Sequence, residues 1–216
     1  MCIYVDDIVY MSSSLKMLEL FKLDIKMTDL GTLNYFLALE VKQSEDGIFV
    51  TQRKYVENIL KSFGMQSCKP AATPMNMNDK MQANDGIGKA DVWVYRRLIG
   101  KLLYLTHTRP DISYAVGILS RFMSNPTKQH LGAGKNLLGY LCGTKNLRLW
   151  YSRSMECRLQ RYSDSDWGGC IDFRKSTSGM IFNLRTGVVS WGSRKQDITS
   201  LSTTEAEYVA VTTAAC

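Results

Sequence analysis

The sequence predicts an α+β fold, and three observations carry that prediction. Short apolar runs of β type open the chain. Apolar residues at three- and four-residue steps fill its middle. A second set of β-type runs occupies residues 158–193, and one further helical stretch follows them. Period two reads as strand and period 3.6 as helix, so the elements segregate along the chain instead of alternating.

The elements follow in order. Residues 2–5 and 8–11 are short apolar strands around Asp6-Asp7, a hairpin with two acids at its tip. Leu15, Leu18, Phe21 and Ile25 mark a helix over 15–27. Residues 33–43 and 47–52 form a second hairpin turning at Glu45-Asp46-Gly47. Tyr55, Val56, Ile59, Leu60 and Phe63 share one face of a helix over 53–63. Residues 64–92, rich in Gly, Pro, Asn and Asp, read as a linker. Tyr95, Leu98, Ile99, Leu102 and Leu103 stripe the next helix. Thr108-Arg109-Pro110-Asp111 restarts another, with Thr108 as cap and Pro110 in the first turn. The stripe of that helix is Ile112, Ala115, Val116, Leu119, Phe122 and Met123. A third helix runs from after Asn125-Pro126 to Gly143. Gly132, Gly134 and Gly139 weaken it by about 1 kcal/mol each relative to alanine. Three strands follow at 158–164, 178–184 and 188–193, with Arg185-Thr186-Gly187 as a tight turn. A helix then starts at Thr203, capped by Ser202 or Thr203.

Composition narrows the function. The chain has 216 residues, 45% of them hydrophobic and 22% charged, which excludes a disordered or collagen-like chain. No apolar run is long enough to cross a bilayer, and an N-terminus that includes Asp6-Asp7 is not a signal peptide. No pair among the six cysteines is spaced C-x-x-C, which excludes a zinc module; reduced thiols in an intracellular protein are expected. The net charge of +7 is unevenly placed. Residues 1–88 carry 9 Lys/Arg against 11 Asp/Glu, residues 89–154 carry 11 against 2, and residues 155–216 carry 7 against 7. A basic block of this kind is either the footprint of a polyanion, nucleic acid first, or a solvated helix face.

The acids suggest metal chemistry. Asp6 and Asp7 repel one another unless a divalent cation binds between them, and Mg²⁺ takes oxygen ligands beside a substrate phosphate. An ordinary acidic turn accounts for the dipeptide as well. Asp164 and Asp166 share a side if their strand persists, and a turn after Ser165 separates them. Glu205 and Glu207 face nearly opposite ways on a helix, so at most one meets the sheet. The register leaves open which.

The ordered set of strings resembles the Pol polyprotein of copia-type LTR retrotransposons. Tyr4-Val5-Asp6-Asp7 is similar to the polymerase signature of reverse transcriptases. Further strings are Asp29-Leu-Gly-Thr-Leu-Asn-Tyr-Phe-Leu37, Gln52-Arg-Lys-Tyr55, Cys68-Lys-Pro-Ala-Ala-Thr-Pro74 and Tyr95-Arg-Arg-Leu-Ile-Gly-Lys-Leu-Leu-Tyr-Leu105. After them come His107-Thr-Arg-Pro-Asp-Ile112, Tyr162-Ser-Asp-Ser-Asp-Trp167, Lys175-Ser-Thr-Ser-Gly179, Ser190-Trp191 and Thr204-Glu-Ala-Glu-Tyr208. They cover essentially the whole chain.

The resemblance implies the end of a reverse-transcriptase palm with a primer-grip hairpin over 1–70, and a basic helical thumb and connection over 71–155. Over 156–216 it implies the N-terminal half of an RNase H-like mixed sheet. The activity implied for the full-length protein is RNA-directed DNA synthesis and cleavage of the RNA strand of the hybrid. The implied catalytic and Mg²⁺-binding residues are Asp6, Asp7, Asp164 and Glu207, the last chosen over Glu205 by the resemblance. The implied nucleic-acid-binding residues are Tyr4, Tyr35, Phe36, Leu37, Arg96, Arg97, Lys101 and Arg109. The implied partners are an RNA template, a DNA primer, the RNA–DNA hybrid and the rest of the polyprotein, with no membrane. The implied location is a cytoplasmic virus-like particle and the nucleus.

Departures from the pattern set further expectations. An upstream palm carboxylate, the fingers, and two RNase H acids after Glu207 are missing, so both two-metal sites are half-sites and the chain alone is expected to be inactive. Ala38 stands where the family usually has Gly, a strained choice if φ there is positive. The chain is expected to be a truncated or decayed copy with Met1 as an incidental start. The alternative functions are a non-catalytic nucleic-acid-binding remnant and a transposon relic without a role.

Overall fold

The structure, a computed structural model, describes residues 2–5, 7–12, 14–24, 28–76, 79–153 and 158–215. These residues form a mixed α+β fold with six α-helices and three antiparallel sheets. The first sheet is the hairpin of β1 (Cys2–Tyr4) and β2 (Asp7–Val9), in register Tyr4↔Asp7. Helix α1 (Leu15–Asp24) follows; Ile25, which sequence periodicity places in it, lies outside the described residues.

The second sheet has the order β3-β4-β5-β6. Strands β3 (Tyr35–Phe36) and β4 (Leu39–Gln43) meet at Leu37-Ala38, and β4 turns into β5 (Gly47–Thr51) at Glu45-Asp46. Gly47 is required there. A Cβ on it would lie 2.2 Å from the Tyr151 carbonyl oxygen, because β6 (Leu149–Ser152) runs alongside. That pairing joins residues a hundred positions apart, and no periodicity announces it.

Four helices build the main core: α2 (Arg53–Ser62), α3 (Val92–Leu105), α4 (Ser113–Ser120) and α5 (Lys128–Gly143). Val56, Ile59, Leu60, Tyr95, Leu98, Ile99, Leu102, Leu105, Leu119, Leu137, Leu138 and Leu141 are buried together. Burial of such side chains gives about 1.5–3 kcal/mol each. The α3 stripe continues at Leu105, not at the expected Leu103, which is exposed one helical step off the face. Asp91 caps α3 by accepting from the Trp93 and Val94 amides at 2.9 Å. Thr108 is not the cap its sequence suggests. Its hydroxyl donates to Gln52 at 2.7 Å, and a short 3-10 turn at Pro110–Ile112 leads into α4 instead.

Thr127 opens α5 with a capping box whose partner, at the third helical position, is His130. Gly134 lets α5 approach α3, since a Cβ would meet the Leu98 side chain at 2.8 Å. Gly139 and Gly143 do the same for Lys69 and Pro70, so the start of the expected linker packs on α5.

The third sheet, β7 (Leu159–Ser165), β8 (Thr177–Leu184) and β9 (Gly187–Lys195), carries α6 (Thr203–Ala215) against β7 and β8. Ser202, rather than Thr203, caps α6 by accepting from the Glu205 amide at 3.1 Å. Strand β9 packs on α4, and the Trp191 indole donates to the Thr106 carbonyl at 2.8 Å.

Candidate nucleic-acid interface and acidic positions

The β1–β2 hairpin presents its tip to solvent. Tyr4 and Val5 are 52% and 80% exposed, and Val5 sits at φ +51° in the two-residue loop. Asp6 lies outside the described residues. Asp7 is exposed and, among the described residues, has no cation within 4.0 Å.

Tyr104, Tyr55 and His107 form an aromatic cluster beside the β3–β4 turn. The Tyr104 hydroxyl of α3 donates to the Leu37 carbonyl at the β3–β4 turn. Partial burial raises the Tyr104 phenol above its ordinary pKa, and the nearby Tyr4 and Tyr35 phenols raise it further. Tyr55 meets Tyr104 edge-on at 5.2 Å, and His107 does so at 5.8 Å. Two lysines border the cluster: Lys101 is 6.0 Å from the Tyr55 ring centre, and Lys54 is 5.8 Å from that of Tyr35. Tyr35 is 56% exposed, so an aromatic face and an ammonium are open together. Phe36, the next residue of β3, is half-buried.

The surface continues along α3. Trp93, Arg97, Lys101 and Tyr104 recur at four- and three-residue steps and share one side of the helix. The Arg97 guanidinium lies 4.9 Å from the Trp93 ring centre and 5.1 Å from the Phe63 ring centre, which favours a held position for its charge. Arg96 points to the other flank, where its Nε donates to the Met123 carbonyl at 2.8 Å. Sequence reasoning missed Trp93, Tyr55, Tyr104 and Lys54. The available signal was the i, i+4, i+8, i+11 spacing of two cations flanked by two aromatics on α3, which the neighbouring apolar stripe obscured.

Arg109 requires a correction. The sequence reading places it with the nucleic-acid contacts, yet it is 3% exposed. It makes two hydrogen bonds to the Asp111 carboxylate, at 2.8 and 2.7 Å, and two more to the Thr144 carbonyl and hydroxyl, at 3.1 and 2.8 Å. Its charge is consumed in joining the 3-10 turn to the end of α5. Burial pushes the Asp111 carboxyl up, but Arg109 and the Tyr140 hydroxyl outweigh it and hold the group below the usual carboxylate range.

The second acidic position lies where α6 crosses β7. The Glu207 carboxylate accepts from the Ser165 amide at 3.2 Å, which brings it to the end of the strand that carries Asp164. Glu205 turns back to its own helix start and accepts from the Leu201 amide at 2.6 Å. Asp166 lies past the strand end and closes the following loop by accepting from the Thr177 amide at 2.5 Å. Asp164, Asp166, Tyr114 and Trp191 border a groove of about 690 Å³ between this sheet and the helices. Among the described residues no three His, Cys, Asp or Glu side chains group to hold a metal ion. Asp164 with Glu207, and Asp7, therefore do not fit a two-metal centre on their own.

Comparison with known proteins gives the family. The profile of the reverse transcriptase (RNA-dependent DNA polymerase) family matches residues 1–77. An uncharacterised mitochondrial protein of Arabidopsis thaliana is 38% identical over 97% of this chain and 88% of its own length. The retrovirus-related Pol polyprotein from transposon RE1 of the same plant is 39% identical over 98% of the chain. That from transposon TNT 1-94 of Nicotiana tabacum is 35% identical over 97% of it. The chain spans only 15% and 17% of those two polyproteins. No solved structure matches the chain. The chain belongs to the copia-type retrotransposon Pol family and corresponds to a segment of the polymerase-bearing polyprotein.

Proposed function

We propose that this segment holds template–primer for RNA-directed DNA synthesis within a Pol polyprotein. Residues 1–70 act as palm end and primer grip, 71–155 as thumb and connection, and 156–216 as the first half of an RNase H-like unit. The observation that carries the reading is the Tyr104 hydroxyl anchored on the Leu37 turn with the Tyr55 ring beside it, continued by Lys101 and Arg97 on α3. Exposed rings stack on bases or sugars, and fixed cations neutralise phosphates with release of counterions. Reverse transcriptases generally use Mg²⁺. Asp6, Asp7, Asp164 and Glu207 are the carboxylates this chain would contribute, each pair needing further ligands.

Binding of a labelled RNA–DNA hybrid, followed by anisotropy against salt, tests the reading. Arg97→Ala and Lys101→Ala should each weaken binding and flatten the salt slope by about one. Absence of binding at low salt refutes it.

A second reading is a binding remnant without catalysis. It needs only the aromatic and cationic side of α3, where Arg97 lies against Trp93 and Lys101 near Tyr55. Hybrid binding unchanged by Mg²⁺ or chelator supports it.

A further inference from the structure

The face of the second sheet carries an arrangement that the grip and the α3 stripe do not use. Cross-strand register puts Tyr35, Glu40 and Thr51 in one row and Lys42, Phe49 and Trp150 in the next, all on one face. Phe49 stacks on Trp150 with ring centres 4.0 Å apart, and the Arg148 guanidinium lies 4.3 Å from the Phe49 ring. Arg148, Phe49 and Trp150 thus form a layered set in which the guanidinium is held over an aromatic ring. The face floors an open groove of about 740 Å³, bordered by Lys54 and Asn146.

Its charge is one-sided. Among the described residues Lys42, Lys54 and Arg148 have no carboxylate within 4.0 Å, whereas Arg53 is paired with Glu57. The groove's carboxylate, Glu40, accepts from the Lys54 amide at 2.8 Å, so it is partly satisfied by the backbone.

We propose that this sheet face is a separate subsite for single-stranded nucleic acid, entered at Tyr35 and running toward Arg148. The inference rests on the template–primer reading above. Cations interleaved with aromatic planes on a pleated face match a strand whose bases are unstacked. A guanidinium already held against an aromatic ring gains a partner from a free base face, whereas a duplex keeps its base faces covered and offers mainly phosphates. Tyr35 belongs to both surfaces, so a strand leaving the grip meets the groove without a gap.

The test uses the full chain with a fluorescein-labelled oligo(dT) and a hybrid duplex of equal length. Lys42→Ala/Arg148→Ala should weaken oligo(dT) binding roughly tenfold and flatten its salt slope by about 1.4, the single-strand value for two phosphates. Hybrid affinity should change less than about twofold. Arg97→Ala/Lys101→Ala should show the converse. R148K, which keeps the charge and loses the plane, should also lose oligo(dT) affinity. Lys42 is exposed, so K42E tests the site without a buried change. If the wild-type chain binds both probes and neither K42E nor the double variant affects oligo(dT), the subsite is refuted and the template–primer reading stands. If all variants lose both probes equally, the single-strand assignment is refuted. If the wild type binds neither probe, the parent reading fails and this inference fails with it.

Discussion

The Tyr104 hydroxyl donates to the Leu37 carbonyl, a bond that ties the last turn of α3 to a hairpin 67 residues earlier. It fixes a turn under backbone strain. Leu37 and Ala38 have φ of +48° and +58°, the left-handed pair that a two-residue hairpin of this twist needs. Side chains with a Cβ resist that region by about 1–2 kcal/mol per residue. Ala38→Gly should therefore raise stability by about 1 kcal/mol in urea unfolding, and Tyr104→Phe should lower it by a similar amount. Unchanged midpoints for both would refute the account.

The glycines of α5 separate by environment. Gly132 faces open space, so Gly132→Ala should stabilise by about 1 kcal/mol through helix propensity alone. Gly134→Ala places a methyl 2.8 Å from the fully buried Leu98 side chain. The strain, about 1–3 kcal/mol, should cancel or reverse the propensity gain. Thermal unfolding of the two variants side by side decides it; equal stabilisation contradicts close packing at Gly134.

Arg109→Ala should destabilise the fold by about 2–4 kcal/mol. It removes the guanidinium of a buried fork and leaves Asp111 half-buried without its cation. Arg109→Lys should recover only part of this, because an ammonium cannot bridge Asp111 and Thr144 bidentately. The hybrid-binding salt slope of the folded lysine variant should equal that of the wild type. A slope flattened by about one would return Arg109 to the interface.

His130 makes stability depend on pH. It is fully buried, stacked on Phe122 at 3.9 Å, and its Nδ1 accepts from the Thr127 amide at 3.0 Å, which requires a neutral ring. Burial lowers its pKa below the ordinary 6.5. The Asp85 charge, the Gln82 backbone and the Asp172 charge act the other way without winning. A depressed value means that the neutral ring's stabilisation is fully present above the unfolded pKa. It is lost as the pH falls from there toward the folded one. His130→Gln, which keeps an acceptor for the cap, should flatten the Tm profile between about pH 7 and pH 5. An unaltered slope in that window would exclude His130 as its source.

How much of this was legible in the sequence depends on range. The helical faces were readable because period 3.6 is written locally, down to the end of α5 at Gly143. The strain at Ala38 was readable too, as a side chain where the family carries none. Strand β6 was not readable, because its partner β5 lies a hundred residues away and four residues carry no period. Arg109 misled because charge reports that a cation exists, not that Asp111 and Thr144 already hold it. Trp93 and Tyr104 were absorbed into an apolar helix pattern, although the side they occupy is the exposed one.

The isolated chain should show no polymerase or ribonuclease turnover. Two-metal phosphoryl transfer needs several fixed carboxylates around a pair of ions about 3.5–4 Å apart. Asp7 belongs to no group of three His, Cys, Asp or Glu side chains among the described residues, and Glu207 already spends one oxygen on the Ser165 amide. Ions held by so few ligands keep their water and exchange too freely to position an attacking oxygen. Primer extension and hybrid cleavage in Mg²⁺ should both read as background, while hybrid binding persists. Turnover above background that disappears with Asp7→Asn or Glu207→Gln would show that the missing ligands come from elsewhere, such as a second copy of the chain. Turnover indifferent to both substitutions would mark a contaminant.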